Sequence, residues 1–315
     1  MEVSDAGENP PDELFLTSIA EFRELIFDCF EIAGVRTIAE VGAWQGAFTE
    51  HLAAWAKEHQ ARVYSVEPNP TGRLTAICES SPQVDLIVAR SPDAFAEFEV
   101  CDAYILDTDH NYYTVNRELT ALDKLARSSG KQFVILLQDI GWPFGRRDSY
   151  GDASLIPSEA LRPHSFGKGV VLDSTELVDT GFRGNWAWAD QQGGASNGTM
   201  TALEDFLRDR PHLQHHIVPC IFYLAIIYPR SLPAATALGT YLRAYDNNAL
   251  LARLEHNRLA LYLRVLDLQQ RFESTQHGEE EQAARLLEQQ SSPGRRLIRR
   301  LLPKTLRHQL RRLIG

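Results

Sequence analysis

The chain has 315 residues, of which 44% are hydrophobic and 23% are charged, a composition that excludes collagen-like, coiled-coil-only and wholly disordered proteins. Its 32 basic and 42 acidic residues give a formal net charge of -10, which argues against a cationic nucleic-acid-binding protein. Four scattered cysteines, with no C-x-x-C pair, offer neither a disulfide framework nor a zinc module.

The first two thirds of the chain predict a helix and then an alternating α/β domain. Apolar residues recur at helical spacing over 11–33 and stop at Gly34, so residues 1–34 are assigned to an N-terminal helical segment. Residues 35–230 alternate short apolar runs with stretches able to form helices. The predicted strands are 36–41, 62–66, 84–89, 102–106 and 132–137, and the predicted helices include 46–58, 71–80 and 112–127. Because these strands are apolar on both faces, we expect right-handed βαβ units in a doubly wound, mostly parallel sheet.

A long segment interrupts this pattern after the fifth strand. Residues 140–198 are rich in Gly, Pro, Trp, Arg and Asp and are too long for an ordinary connector, which indicates a functional insertion. A helix at 199–208 and two strands at 213–218 and 220–228 follow. We expect these strands to complete a seven-stranded sheet as an antiparallel pair.

The C-terminal part predicts a helix, a linker and a tail. Helical spacing predicts one long helix within 231–272, and 273–294 is interpreted as a polar linker. Residues 295–315 predict a basic amphipathic tail with eight basic and no acidic residues, so the rest of the chain carries 24 basic against 42 acidic residues, a formal charge of -18. Such a tail suits an anionic membrane surface, the acidic body of the chain or a protein partner, and the sequence leaves all three open.

The sequence predicts a cytoplasmic protein, peripheral at the inner face of the membrane if the tail binds lipid. The polar start, MEVSDAGENPPDE, lacks the basic residues and apolar run of a secretory signal. The longest apolar run, Ile221 to Tyr228, is too short to cross a bilayer.

The turn after the first strand has features of a nucleotide-binding site. It reads EVGAWQG over residues 40–46, and glycines there let the backbone approach a ligand closely. A dinucleotide fingerprint needs a second glycine where Trp44 stands, which disfavours a dinucleotide. The spacing resembles the E/D-x-G-x-G-x-G motif of class I S-adenosylmethionine-dependent methyltransferases, with Trp44 in place of the middle glycine.

Two further strand ends support this resemblance. The second strand ends at Glu67, where that family has an acidic residue that accepts hydrogen bonds from both ribose hydroxyls, and the third ends near Ser91, where the family contacts adenine. Over residues 30–228 the resemblance implies a Rossmann-like methyltransferase fold that binds S-adenosyl-L-methionine. The cofactor contacts that it implies are Glu40, Gly42, Trp44, Gly46, Glu67, Ser91 and Asp107.

Acidic residues follow the fourth and fifth strands. The fourth ends in DTDH, residues 107–110, which is similar to an element of methyltransferases that act on small molecules and sugars. Some of these relatives bind a divalent metal at the two strand ends, which implies Asp107 and Asp139 as ligands of Mg²⁺, an ion that prefers oxygen. Ile140 stands where the metal-dependent enzymes have Asn or Asp. A metal-free alternative takes Asp109 or His110 as the general base, with Asp107 in the same catalytic group.

The insertion is expected to contact the substrate, because it begins where the fifth strand ends. Trp142 and Phe144 suit stacking on a sugar or aromatic ring, and Arg146 with Arg147 suits a phosphate or carboxylate. His164 and Asn197 add polar groups. The alternative is that the two arginines are solvated or pair with Asp148 and Asp152.

Together these features predict an O-methyltransferase that transfers a methyl group in line to a hydroxyl of a sugar, glycan, polyol or natural product. Two other functions stay open, namely an NAD-dependent nucleotide-sugar oxidoreductase and a non-catalytic, membrane-tethered binding protein with the same fold. The expected partners are the acceptor, an anionic membrane surface and, in a homo-oligomer, further copies of the chain. Nucleic acid is not expected.

Overall fold

The computed structural model describes the backbone of residues 17–291 and the side chains of residues 17–272. The predicted basic tail at 295–315 lies outside the described residues. The chain divides after Leu261 into two units, and the described part of the second unit continues one helix to Ser291. Within the described part of the chain, no helix has both the length and the apolar composition needed to cross a bilayer.

The described residues form ten strands and seven α-helices. In chain order the strands are β1 (Thr37–Val41), β2 (Arg62–Val66), β3 (Val84–Ile87), β4 (Ala103–Leu106), β5 (Val134–Gln138), β6 (Ser149–Tyr150), β7 (His164–Phe166), β8 (Ala187–Ala189), β9 (Leu213–Val218) and β10 (Leu224–Pro229). The helices are α1 (Arg23–Ala33), α2 (Ala47–His59), α3 (Gly72–Ser80), α4 (Tyr112–Ser129), α5 (Thr199–Arg208), α6 (Ala235–Leu242) and α7 (Ala249–Ser291).

A seven-stranded sheet in the order β3-β2-β1-β4-β5-β10-β9 forms the centre of the first unit. Strands β1 to β5 are parallel, and β10 runs antiparallel to both β5 and β9. Apolar side chains bury both faces, since α1, α2 and α6 cover one face and α4 and α5 cover the other. The predicted doubly wound fold with an antiparallel final pair is confirmed.

The side chain of Asn111 caps α4 and so fixes where this helix begins after β4. Asn111 directly follows the DTDH element, and its side chain accepts a hydrogen bond from the N–H of Thr114 at 2.8 Å. This contact satisfies one of the free N–H groups in the first turn of α4. The four residues of the element therefore lie in a short, fixed connection between β4 and α4.

Three C-terminal assignments differ from the sequence-based expectation. The predicted helix in 231–272 is two helices, because Asn247 takes φ +48 and the side chain of Asn248 caps the first turn of α7. The predicted linker at 273–294 is helical as far as Ser291, in a stretch rich in Glu, Gln, Ala, Leu and Arg, which favour helix. The final strand begins at Leu224 rather than at 220.

The insertion folds on a small antiparallel sheet of its own, in the order β6-β8-β7. Trp188 on β8 is fully buried and stacks on Phe144 with 5.5 Å between ring centroids. Arg147 is also buried and donates hydrogen bonds to the carbonyl oxygens of Thr175, Ala189 and Asp190. These contacts join the first residues of the insertion to its later strands.

We predict that Gly42→Ala destabilises the fold by at least about 3 kcal/mol, because a Cβ there combines overpacking with a left-handed backbone. Gly42 has φ +93, and its Cβ would lie 2.0 Å from the carbonyl oxygen of Asp107. Gly130→Ala is the matched control, since Gly130 has φ +71 but no atom within 4 Å of the added carbon. Denaturant unfolding that gave equal losses for the two variants would contradict this account.

Candidate active site

Four strand ends meet at one edge of the sheet. The register aligns the last residues of β1, β2 and β4 with one another and places β5 beside β4. The residues that follow these strands are Gly42, Glu67, Asp107 and Asp139. In an open parallel sheet this edge is where ligands bind.

Glu67 is fixed at this edge by backbone donors. One carboxylate oxygen accepts the N–H of Trp44 at 2.9 Å, and the other accepts the N–H of Asn69 at 3.0 Å. Each oxygen keeps a lone pair for a further donor, so the carboxylate is oriented and still able to accept two hydroxyls. Trp44 takes φ +46 and its side chain is 71% exposed, so the turn adopts a left-handed conformation without the middle glycine.

Glu40 lies beneath the turn, where the protein itself satisfies its carboxylate. It is buried and accepts hydrogen bonds from Thr49 at 2.7 Å and from Ser65 at 3.1 Å. Burial raises its pKa to about 7, against the effect of the two hydroxyl donors. We therefore assign Glu40 to the support of the turn, whereas the sequence predicted a cofactor contact.

Glu118 is a site residue that sequence reasoning missed. It lies on the buried face of α4, is 0% exposed, and accepts hydrogen bonds from Ser91 and from Thr108. It therefore joins the predicted adenine loop to the end of β4. The available signal was an acidic residue at helical spacing with Val115, Leu119 and Leu122, which form the apolar face of the helix.

Asp107, His110 and Asp139 form the Asp–His–Asp cluster. Each offers one ligand atom, and these atoms all lie within 4.8 Å of one another. His110 Nε2 lies 3.3 Å from one carboxylate oxygen of Asp139, while the other, Oδ1, is buried with no hydrogen-bond partner. The backbone presents Asp139 at φ +60, and its carbonyl oxygen accepts the hydroxyl of Thr199 at 2.6 Å.

Burial dominates the electrostatics of this cluster. It raises the pKa of Asp107 to about 7 and lowers that of His110 to about 4, so the imidazole is neutral at neutral pH. The pKa of Asp139 is raised by burial and then by the neighbouring charge of Asp107. Two carboxylates this close together, one buried and one half-buried, either share a proton or face a cation.

Asp109 lies outside the Asp–His–Asp cluster. A carbon added to Gly151 would lie 3.3 Å from its carboxylate, which places Asp109 against the insertion. Burial raises its pKa, while the charge of Arg90 lowers it. The structure thus brings together two of the three predicted catalytic residues.

The predicted substrate residues are distributed between surface and interior. Trp142 is partly exposed. Arg146 is exposed and forms a bidentate ion pair with Glu204, with both bonds at 2.6 Å. His164 is partly exposed, and its Nδ1 lies 2.8 Å from the carbonyl oxygen of Arg162.

The other two predicted substrate residues are interior. Asn197 is 0% exposed; it accepts the N–H of Asp148 and donates to the carbonyl oxygens of Gln191 and Gly193. Arg147, at 1% exposed, is likewise committed to backbone carbonyls. As a correction to the sequence-based expectation, both residues hold the insertion together, and neither presents its polar atoms to a substrate.

The ring of Phe144, which the sequence offered for stacking on the substrate, packs against His110 of the cluster instead. Phe144 is buried, and its ring centroid is 4.3 Å from that of His110. The rings of Phe182 and Phe222 lie 6.0 Å from the other sides of Phe144. This apolar packing removes water from one side of His110, which explains why its pKa is lowered.

A family model for the methyltransferase domain matches residues 39–140. Among solved structures, the O-methyltransferase TomG from Streptomyces achromogenes is similar at 13% identity, covering 68% of this chain and 82% of that chain with a TM-score of 0.41. The methyltransferase PaMTH1 from Podospora anserina is similar at 11% identity, covering 68% of this chain and 80% of that chain, with a TM-score of 0.41. A search of curated proteins found no match to the chain.

We predict that Glu118→Gln removes part of the pH dependence of stability. Burial raises the pKa of Glu118 to about 7, so its contribution to stability is complete below the pKa of the unfolded chain and is lost as pH rises through 7. The unfolding free energy of Glu118→Gln relative to the wild type should therefore increase between pH 5 and pH 8, by on the order of 3 kcal/mol. Denaturant unfolding across this pH range measures the difference. Glu99→Gln, at an exposed site, is the control, and parallel curves for wild type and Glu118→Gln would refute the prediction.

Proposed function

Because residues 39–140 of this chain match the family model of a methyltransferase domain, we propose that it is an S-adenosylmethionine-dependent O-methyltransferase whose acceptor is a sugar, glycan or related polyol. The observation that carries the proposal is the convergence of two groups on one sheet edge. Glu67 and its turn suit a nucleoside, and the Asp–His–Asp cluster suits a reacting hydroxyl.

Cofactor binding is assigned to the first three strand ends. The oriented carboxylate of Glu67 suits the two vicinal hydroxyls of a ribose, and Gly42 and Gly46 leave the turn without side chains at two positions. Ser91, bonded to Glu118, lies at the third strand end, where the adenine is expected. A dinucleotide is disfavoured because the turn lacks the second glycine of the dinucleotide fingerprint.

The Asp–His–Asp cluster supplies the acid–base chemistry. A pKa near 7 suits Asp107 to accept the hydroxyl proton of the acceptor as the O–CH₃ bond forms and the S–CH₃ bond breaks. Neutral His110 retains one N–H and one lone pair, so it orients a hydroxyl without repelling the sulfonium. Since the methyl group is already activated by the cofactor, positioning of the hydroxyl contributes most of the acceleration.

The same cluster fits a divalent cation. The unpartnered Asp139 Oδ1 and the mutually repelling carboxylates are the features that a cation would satisfy. An imidazole ligand moves the preference from Mg²⁺, which the sequence predicted, towards a first-row ion such as Mn²⁺. When bound there, the ion would lower the pKa of the acceptor hydroxyl.

Acceptor contacts are assigned to exposed and partly exposed residues of the insertion. Trp142 offers a stacking surface, and His164 offers a polar ring. Arg146 can exchange its pairing with Glu204 for a carboxylate or phosphate on the acceptor. The choice of a sugar or polyol rests on the Asp-x-Asp-His element, and the proposed membrane contact rests on the composition of residues 295–315 alone.

The cofactor assignment is tested by calorimetry with S-adenosylhomocysteine. Glu67→Ala should weaken binding about 10- to 100-fold, since it removes charge-assisted hydrogen bonds to the ribose. Asp85→Ala is the matched control, because Asp85 pairs with Arg62 at the beginning of the strands, away from the carboxyl edge. Binding of NAD without S-adenosylhomocysteine would instead support the oxidoreductase, and binding of S-adenosylhomocysteine without methylation of any acceptor would support the non-catalytic protein.

The metal assignment predicts that the wild-type protein binds Mn²⁺ and that Asp139→Asn abolishes binding. Asp109→Asn should bind like the wild type, because Asp109 lies outside the cluster. Titration of free Mn²⁺ by electron paramagnetic resonance measures both. Absence of Mn²⁺ binding by the wild type would contradict the metal assignment and leave Asp107 as the base.

A further inference from the structure

The connection between β9 and β10 has an unusual backbone. Ile221, Phe222 and Tyr223 have φ values of +47, +59 and +71, and we call these three residues the left-handed turn. β-Branched and bulky side chains rarely adopt this region, because Cβ crowds the backbone. Such a turn persists only where other contacts fix it.

The left-handed turn contacts the backbone that directly follows Asp139. The carbonyl oxygen of Phe222 accepts the N–H of Gly141 at 2.6 Å, and that of Tyr223 accepts the N–H of Ile140 at 3.4 Å. A Cβ on Gly141 would lie 2.7 Å from the ring of Tyr223, so the two segments have no space between them. The position of the turn therefore determines the path of the chain leaving Asp139.

The first turns of α7 fix the left-handed turn with a buried carboxylate. Glu255 is 3% exposed and accepts the N–H of Phe222 at 2.9 Å. Arg258 donates two hydrogen bonds to Glu255, at 2.6 and 2.7 Å, and its guanidinium lies 4.9 Å from the ring centroid of Phe222. A buried ion pair is a weak source of stability, because desolvation offsets its attraction. Arg258 instead orients the carboxylate of Glu255, which accepts the N–H of Phe222 in the left-handed turn.

We propose that Glu255, oriented by Arg258, is a positioning residue that acts through the left-handed turn to set the orientation of Asp139 against His110. The role of Asp139 in methyl transfer rests on the proposed function, whereas the geometric link does not. Loss of the Glu255 acceptor releases Phe222, then Gly141, and then the backbone that presents Asp139 at φ +60.

The test compares Glu255→Ala with Glu255→Gln, which keeps a side-chain oxygen that accepts the Phe222 N–H. The control is Leu259→Ala, which removes a buried apolar side chain from the same helix without touching the turn's hydrogen bonds. The readout is the ring resonance of His110 at constant pH in histidine-labelled protein, assigned with His110→Asn. If Glu255→Ala does not fold, Glu255→Asp, which retracts the carboxylate, takes its place.

We expect the His110 resonance to move in Glu255→Ala, to return towards the wild-type position in Glu255→Gln and to stay unchanged in Leu259→Ala. With any acceptor that the wild type methylates, kcat of Glu255→Ala should fall roughly 10- to 100-fold with unchanged affinity for S-adenosylhomocysteine. An unmoved His110 resonance, or an equal movement in Leu259→Ala, would overturn the positioning role. Failure of the wild type to bind S-adenosylhomocysteine would overturn the proposed function. The comparison of His110 resonances would still decide whether Glu255 positions Asp139.

Discussion

The withdrawal of two neighbouring carboxyl groups from water is the constraint on which the chemistry of this site depends, with Asp139 buried and Asp107 half-buried. Asp107 and Asp139 follow adjacent parallel strands, so the sheet itself brings them together, and a ring nitrogen of His110 lies within 4.8 Å of an oxygen of each. Burial raises the pKa of Asp107 to about 7, while the pKa of Asp139 is raised by burial and then by the charge of Asp107. A group with this pKa can exchange a proton with a hydroxyl, and the same arrangement can be neutralised by a cation.

The surrounding backbone is built to keep these groups in place. Gly42 lets the cofactor turn approach the carbonyl oxygen of Asp107 more closely than any side chain allows. Asp139 is presented in a left-handed conformation whose following residues bond to the left-handed turn. Glu118 accepts hydrogen bonds from Ser91 and Thr108 and so connects the segments that follow β3 and β4. Backbone and side-chain contacts therefore connect the ends of the strands that carry the candidate site.

The features that could be predicted from the sequence are those that depend on local residue patterns. The strand at 62–66 and the helix at 199–208 have the predicted bounds, because apolar periodicity and adjacent turn residues specify them. The fold followed from the alternation of apolar strands with helices, and the resemblance to class I methyltransferases followed from the residues at the strand ends. These features needed no knowledge of distant contacts.

Long-range contacts explain what the sequence could not show. Arg147 and Arg146 are adjacent and look equivalent, yet one is buried among carbonyl groups and the other pairs with Glu204 near the surface. The position of Glu118 on an apolar helix face indicates burial, but the sequence does not show its bond to Thr108, 10 residues away, or that of Glu255 to Phe222, 33 residues away. The break between α6 and α7 depends on Asn248, a cap that a continuous apolar pattern concealed.

A crystal structure with S-adenosylhomocysteine tests the central claim most directly. The account predicts that the ribose hydroxyls bond to Glu67 and that the sulfur faces the Asp–His–Asp cluster across the edge of the sheet. A ligand bound elsewhere, or one whose sulfur points away from Asp107, His110 and Asp139, would contradict it.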